Sequence, residues 1–111
     1  MTLPHPERAM IAPAKIRDYL LSTRHTVGRH KAAFFAQLGY SRRRWPGLES
    51  DLRVVAQTGT AVAGQPSDFG QKFEVSGILT GPSGRTAAVV TVWIVRRGED
   101  FPRFVTVFPG E

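Results

Sequence analysis

The sequence of 111 residues contains no cysteine. A disulfide framework, a thiolate nucleophile and a cysteine-ligated zinc or iron–sulfur site are therefore excluded. Long apolar runs are also missing, since the best candidate, residues 86–95, is far shorter than the roughly 20 residues of a membrane-spanning helix. The first residues hold two prolines and no apolar stretch after their charges, so we expect no secretory signal and a cytoplasmic location.

Acidic residues are scarce, because nine Asp and Glu stand against fifteen Lys and Arg, a net charge of +6. The whole excess lies in residues 1–57, which hold ten basic and four acidic side chains. Residues 58–111 hold five of each. A basic protein of this kind favours an anionic partner such as nucleic acid, an acidic protein or a phospholipid surface.

The spacing of apolar residues changes half-way along the chain. In the first half, intervals of three and four predict three helices, at about residues 12–21, 29–38 and 46–58. Residues 60–70 show no clear period and receive no assignment. From residue 72 the period is two, which predicts three strands at about 73–79, 86–96 and 103–108, joined by turn residues.

This order predicts an α+β fold in a single domain, residues 1–111. Its helical part covers about 12–57 and its sheet part about 72–109. The N-terminal helices pack on one face of a small antiparallel meander sheet.

Both sides of the predicted middle strand are apolar, so its orientation has to be chosen. One side is uniformly aliphatic, whereas the other includes Thr91 and Trp93. We assign the aliphatic side to the core: Ala88, Val90, Val92 and Ile94. Thr91 and Trp93 then face solvent, where a hydroxyl and an indole N–H are available to a ligand. The alternative is that Trp93 is buried beneath residues 60–70.

The segment from His25 to Lys31 holds two imidazoles and two cations in seven residues. Gly28 precedes the second predicted helix, so Arg29, His30 and Lys31 fall in its first turn, where free backbone N–H groups favour an anion. An imidazole can exchange a proton near neutral pH. The alternative is a solvated polar helix start. We expect no metal, since neither a third nitrogen or sulfur ligand nor a carboxylate lies near the two histidines.

Two isolated cations occur in the second half. Arg85 follows the turn residues 80–84, and Arg103 begins the last predicted strand. Each is more often a surface charge than a ligand, although either could contact a phosphate.

Several separated motifs occur in order over nearly the whole chain: HTVGRHKAAFF at 25–35, LG at 38–39, FGQKF at 69–73, GPSGR at 81–85, VWI at 92–94, PRFVT at 102–106 and a closing Pro109. Together they resemble a known family, the bacterial domain of unknown function numbered 6883. Domains of this family occur alone or at the C-termini of phage-related and polymorphic toxin proteins. They are similar to the metal-independent ribonucleases that include barnase, colicin D, colicin E5 and RelE.

The resemblance implies a fold of helices followed by a meander sheet, and an active cleft between the two parts. In such ribonucleases His or Lys from the helical part meets Ser/Thr-x-Trp or a basic residue from the sheet. Here His25 and Lys31 match the helical contribution, and Thr91 and Trp93 match the sheet contribution.

These observations suggest a toxin-type endoribonuclease that needs no cofactor. RNA carries its own nucleophile, the ribose 2′-hydroxyl, so cleavage needs a base, an acid and cations that stabilise charge on the phosphate. The hypothesis assigns catalysis to His25, Lys31, Thr91 and Arg103, and substrate binding to Arg29, His30, Trp93, Arg85 and Thr106.

The expected partners are RNA and a small acidic antitoxin or immunity protein, with no membrane. Two alternatives remain open. One is a basic module that binds nucleic acid or an acidic protein without catalysis. The other is an antitoxin or immunity-like protein, which would form a tight protein complex without affinity for RNA.

Overall fold

The computed structural model describes residues 1–110, and all helical segments in this range precede the strands. Helix α1 is a single turn, Pro13–Lys15, that continues directly as a π-helical segment, Ile16–Leu20. Helix α2 spans Arg29–Gln37 and helix α3 spans Trp45–Thr58. Short 3-10 turns lie at Pro6–Arg8 and Arg42–Arg44. None of the described helices combines the length and apolar composition needed to cross a membrane.

A four-stranded sheet follows the helices. It consists of β1, Thr60–Ser67; β2, Gly70–Thr80; β3, Thr86–Arg96; and β4, Pro102–Pro109. Each strand pairs antiparallel with the next one in sequence, in the order β1-β2-β3-β4. The prediction of an α+β fold with helices on an antiparallel meander is confirmed.

The strand that the sequence did not predict is β1. Only Ala61 is buried in it, and the rest of its side chains are exposed. An edge strand with one buried residue has no alternation of apolar and polar side chains, so periodicity cannot reveal it. The sheet therefore begins earlier than expected.

The helices form where apolar spacing and end residues agree. Helix α3 has Pro46 in its first turn and buries Leu48, Leu52 and Val55 at intervals of four and three. Helix α2 ends before Gly39, whose φ of +95° lies in the left-handed region that favours glycine. The start of α3 and the end of α2 match the sequence-based assignment to within a residue or two.

The core lies on the side of β3 opposite to the one expected. Val89, Thr91 and Trp93 are buried, and the aliphatic side is half-exposed on the uncovered face. Strand β2 determines this orientation, because Phe73 pairs with Trp93 and Val75 pairs with Thr91. Directly paired residues share a face of the sheet, so the apolar side of β2 takes Thr91 and Trp93 into the interior with it.

Thr91 and Trp93 form a polar pair inside the core, and neither has accessible surface. The indole Nε1–H donates to Thr91 Oγ1 at 2.8 Å, and the Thr91 hydroxyl donates to the carbonyl oxygen of Val75 at 2.9 Å. The expectation that Thr91 orients a phosphate and Trp93 stacks on a base is therefore wrong for this fold. Their hydrogen bonds instead satisfy buried polar groups.

The chain before α1 covers part of the outer edge of β4. The Met10 N–H donates to the Pro102 carbonyl at 2.9 Å, and the Phe104 N–H donates to the Met10 carbonyl at 2.8 Å. Beyond this bridge, Val105 is an extra residue in the pairing of β4 with β3. Because α1 begins just after the bridge, the helical segment Ile16–Leu20 lies beside the second half of β4.

Candidate functional site

A cleft of about 700 Å³ opens between the π-helical segment, the start of α2 and strand β4. Its chemically active lining comes from these three elements, from the end of α1 and from the loop before α2. The residues concerned are Lys15, Tyr19, His25, Lys31 and Thr106. The two parts of the fold, helical and sheet, therefore meet at this cleft.

Three polar groups form a closed triangle at the centre of the cleft. The Lys31 ammonium donates to Thr106 Oγ1 at 2.7 Å and to the Tyr19 hydroxyl at 3.1 Å. The Tyr19 and Thr106 hydroxyl oxygens are 3.3 Å apart. The ammonium also lies 5.3 Å from the centre of the Tyr19 ring, within the range of a cation–π contact.

Gly28 allows the two helical segments to approach closely enough for this triangle. It is buried immediately before α2, and a Cβ atom at this position would lie 2.0 Å from the Tyr19 carbonyl oxygen. Any larger residue would therefore push the first turn of α2, which carries Lys31, away from Tyr19. Tyr19 itself lies in the π-helical segment, a conformation that is often found at functional sites.

Gly28→Ala is expected to lower the free energy of unfolding by about 1–3 kcal/mol, as other forced overpacking does. The cause is displacement of α2 from the π-helical segment. Thermal or urea unfolding measures the loss. Gly47→Ala is the matched control, since a Cβ at position 47 of α3 meets nothing within 4 Å and alanine favours the helix. Equal stability of the two variants would contradict the close approach.

His25 is held at the rim of the cleft by the loop that contains it. Its Nδ1 accepts hydrogen bonds from the N–H groups of Val27 at 3.1 Å and Gly28 at 3.0 Å. Its ring contacts the Tyr19 ring edge-on, with centroids 5.0 Å apart. Because Nδ1 already accepts, the proton of the neutral ring lies on Nε2, which can donate a hydrogen bond to a ligand.

The electrostatic balance of the cleft is positive. Lys15 donates to the Val105 carbonyl at 3.2 Å, at the bulge of β4, and adds a second ammonium to that of Lys31. Asp18 also lines the cleft, but its carboxylate is hydrogen-bonded by Arg17 and Arg42 at 3.0 and 2.9 Å. These bonds lower the pKa of Asp18, and the two guanidinium groups offset the negative charge of its carboxylate.

The pKa of Tyr19 is lowered from its usual value. Burial alone would raise it, but the hydrogen bonds with Thr106 and Lys31 and the positive charges of Lys31 and Lys15 together outweigh burial. Ionisation of the Tyr19 phenol is thus easier in this cleft than in a free tyrosine side chain. No group of three His, Asp or Glu side chains in residues 1–110 is arranged to hold a metal ion.

Comparison with known proteins identifies the family. The model of a domain of unknown function, DUF6883, matches residues 2–111. The chain belongs to this family. No curated protein matches the sequence of this DUF6883 chain.

The fold also resembles a solved structure, a chain of a contact-dependent growth inhibition toxin–immunity protein complex from Klebsiella pneumoniae 342. The two chains superpose with a TM-score of 0.73 and share 15% identity, over 96% of this chain and 97% of the other. At this level of identity the likeness concerns the fold.

The DUF6883 chain brings three of its nine predicted site residues together: His25, Lys31 and Thr106. The other six lie elsewhere. Thr91 and Trp93 are in the core. Arg29 and His30 are exposed on the first turn of α2 without lining the cleft, and Arg85 lies in the turn between β2 and β3.

Arg103 is held away from the cleft by its own carboxylate partner. Its guanidinium forms two hydrogen bonds with Glu99, at 2.8 and 2.9 Å, and lies 5.0 Å from the centre of the Phe101 ring. The expected catalytic role of Arg103 therefore finds no support in the cleft. Thr106 pairs with Val92, so it points to the opposite face from Thr91 and supplies the sheet's hydroxyl in its place.

Two residues of the cleft were missed in the sequence, Tyr19 and Lys15. Tyr19 falls at a helical interval from Ile16 and so counts as part of an apolar stripe. Its hydroxyl would have been a usable signal, because a tyrosine at the end of an apolar stripe often has its ring buried and its oxygen at the surface. Lys15 carries no comparable signal among the other basic residues of the first half.

Proposed function

We propose that this DUF6883 domain is a metal-independent endoribonuclease of the toxin type, whose active site is the cleft around Lys31. One observation carries the proposal: an imidazole and an ammonium from the helical part meet a hydroxyl from the sheet in one basic cleft. The polar side chains of this cleft can bind the phosphodiester anion. They can also exchange protons with the two oxygens that react, the ribose 2′-oxygen and the departing 5′-oxygen.

Four polar groups of the cleft have a role in the proposed reaction. The Thr106 hydroxyl and the His25 Nε2–H donate hydrogen bonds to the non-bridging phosphate oxygens. Tyr19, in molecules where the phenol is ionised, takes the proton from the ribose 2′-hydroxyl. The 2′-oxygen then bonds to phosphorus as the bond from phosphorus to the 5′-oxygen breaks, and Lys31 gives a proton to that departing oxygen.

The products are a 2′,3′-cyclic phosphate and a 5′-hydroxyl. Afterwards Tyr19 is neutral and Lys31 is an amine. The two atoms are 3.1 Å apart, so the proton can return directly from the phenol to the amine and restore the starting state. His25 acts as a donor in this scheme, because its Nδ1 is occupied by the loop backbone.

The structural neighbour supports a role in toxin and immunity systems. The fold is shared with a chain of a contact-dependent growth inhibition toxin–immunity protein complex. A toxin that cleaves RNA needs an inhibitor, and the net charge of +6 suits a small acidic immunity protein that covers the cleft.

The test is cleavage of single-stranded RNA by the purified chain in the presence of a chelator. Wild type is expected to give fragments with cyclic-phosphate ends. His25→Ala should lower the rate about 10²- to 10³-fold, the typical effect of removing one preorganised donor. Arg43→Ala, which removes an exposed charge from the turn before α3, should cleave like wild type.

Intact RNA after incubation with wild type would refute the proposal. If that RNA is nevertheless retained in a salt-dependent manner, the domain is a basic binding module without catalysis. Equal rates for His25→Ala and Arg43→Ala would remove His25 from the site.

A further inference from the structure

A second groove, of about 760 Å³, lies on the face of the sheet that the helices leave uncovered. Lys72 of β2, Ile94 of β3 and Arg103 of β4 stand in register across it. Arg96, two residues beyond Ile94 on the same side of β3, adds a further cation. Arg103 is the lining residue that the sequence indicated as a possible phosphate contact; the other parts of the groove come from distant segments of the chain.

The groove is basic, and most of the positive charges in its described lining are not paired with a carboxylate. Lys15, Lys72 and Arg96 line it, and none of them forms an ion pair within residues 1–110. Arg103 is the exception, since Glu99 holds its guanidinium. No Asp or Glu belongs to the described lining of the groove. The surface therefore suits a ligand with several negative charges in a row.

One exposed aromatic ring stands in this basic surface. Phe69, in the turn between β1 and β2, is 79% exposed. Its backbone is fixed on both sides, because the Phe69 N–H donates to Ser67 Oγ and the Arg97 N–H donates to the Phe69 carbonyl, both at 3.2 Å. An exposed ring among cations is the combination that single-stranded nucleic acid recognises, with phosphates on the cations and a base stacked on the ring.

The groove is continuous with the cleft of the proposed function. Lys15 and Val105 line both. The Lys15 ammonium is bonded to the Val105 carbonyl at the boundary, so its charge serves both sides. A chain of phosphates that leaves the cleft past Lys15 enters the groove next.

We propose that this groove binds the single-stranded RNA that flanks the scissile phosphate, with one base stacked on Phe69. The proposal rests on the proposed function of the cleft, and it adds the substrate class. A duplex conceals the faces of its bases, so only an unpaired strand can use Phe69. Lys72 and Arg96 would contact successive phosphates of this strand.

Binding is measured by fluorescence anisotropy with a 2′-O-methyl oligonucleotide of about twelve nucleotides, which cannot be cleaved and exceeds the smaller single-strand sites. Phe69→Ala is expected to raise Kd about five- to 150-fold, the range for loss of one stacked base. Phe108→Ala is the control, since Phe108 is an exposed phenylalanine of β4 outside the groove.

The charges are tested by the salt dependence of the same binding. The double variant Lys72→Ala/Arg96→Ala should reduce the slope of log K against log salt by about 1.4, or about 0.7 for each lost phosphate contact. Arg43→Ala/Arg44→Ala removes two cations elsewhere and should leave the slope unchanged. A duplex probe that binds as tightly as the single strand would overturn the stacking, and equal slopes for the two double variants would overturn the groove.

Cleavage separates a failure of the groove from a failure of the cleft. With a dinucleotide, which occupies the cleft alone, Phe69→Ala and wild type should have equal kcat/KM. With the long oligonucleotide of unmodified RNA, Phe69→Ala should be slower. If no substrate is cleaved but the groove variants still lose binding, the proposed function falls and the binding site stands. If RNA is cleaved and the groove variants match their controls on both substrates, the groove proposal falls.

Discussion

Lys31→Met will lower the rate of RNA cleavage about 10²- to 10⁴-fold, the range for loss of a positioned proton donor. Lys31 donates to both other members of the triangle, Tyr19 and Thr106, and carries its positive charge. Methionine has a similar length and no charge, so the cleft keeps its shape. The rate is measured under single-turnover conditions with a short RNA. Arg43→Met is the control, and a rate within a few-fold of it would contradict the role of Lys31.

The dependence of the cleavage rate on pH, measured for Lys31→Met and for a second variant, Lys31→Arg, tests how Lys31 acts. The rate should rise with pH until Tyr19 is ionised, and hydrogen bonding and charge from Lys31 help to lower the Tyr19 pKa. Lys31→Met should therefore move this rise to higher pH. Lys31→Arg keeps the positive charge but is a poor proton donor, so it should keep more of the wild-type profile while losing rate. An unchanged profile in Lys31→Met would remove Tyr19 as the base.

The helices and three of the strands were predictable because their signals are local. Helix α3 shows its buried stripe of Leu48, Leu52 and Val55 in the sequence itself. Strand β2 likewise alternates Phe73 and Val75 with charged neighbours. Strand β1 has no such stripe, because it lies at the edge of the sheet and buries a single side chain, Ala61.

The proximity of the cleft residues that are close together in the sequence was predictable for the same reason, whereas the place of the distant one was not. His25 and Lys31 lie within seven residues, so their proximity is nearly guaranteed by the chain. Thr106 is 75 residues from Lys31, and its place depends on the bulge at Val105 and on the Met10 bridge that sets α1 beside β4. These are features of pairing between distant segments. The π-helical backbone around Tyr19 is likewise invisible in apolar spacing.

The wrong face for β3 came from judging that strand alone. Apolar residues occupy both of its sides, so alternation within β3 cannot decide. Its neighbour β2 has one clearly polar side, with Lys72 and Glu74, and one clearly apolar side. Once the turn between the two strands pairs Thr80 with Thr86, odd-numbered residues face odd-numbered residues, and Trp93 must follow Phe73 inward. Pair register therefore carries information that single-strand patterns lack.

Trp93→Ala is expected to lower the free energy of unfolding by about 3–5 kcal/mol, the usual range for removal of a large buried aromatic side chain. Trp93 is fully buried, packs edge-on against Phe104 at 5.3 Å and donates to Thr91. Since small domains are stable by only about 5–15 kcal/mol, much of the margin would be lost. Urea unfolding of the purified variant measures the change.

Two further variants separate packing from the hydrogen bonds and make the result informative even if Trp93→Ala does not fold. Thr91→Val keeps the shape but leaves the buried Trp93 N–H without its acceptor and removes the hydroxyl's bond to the Val75 carbonyl, at a cost of about 1–3 kcal/mol. Val92→Thr makes the reverse change on the half-exposed side of β3, where the added hydroxyl can reach water. Its effect on the free energy of unfolding should therefore be below about 1 kcal/mol. If Val92→Thr proved the more damaging of the two, the core would lie on the aliphatic side of β3, and Thr91 and Trp93 would return to the surface as candidates for substrate binding.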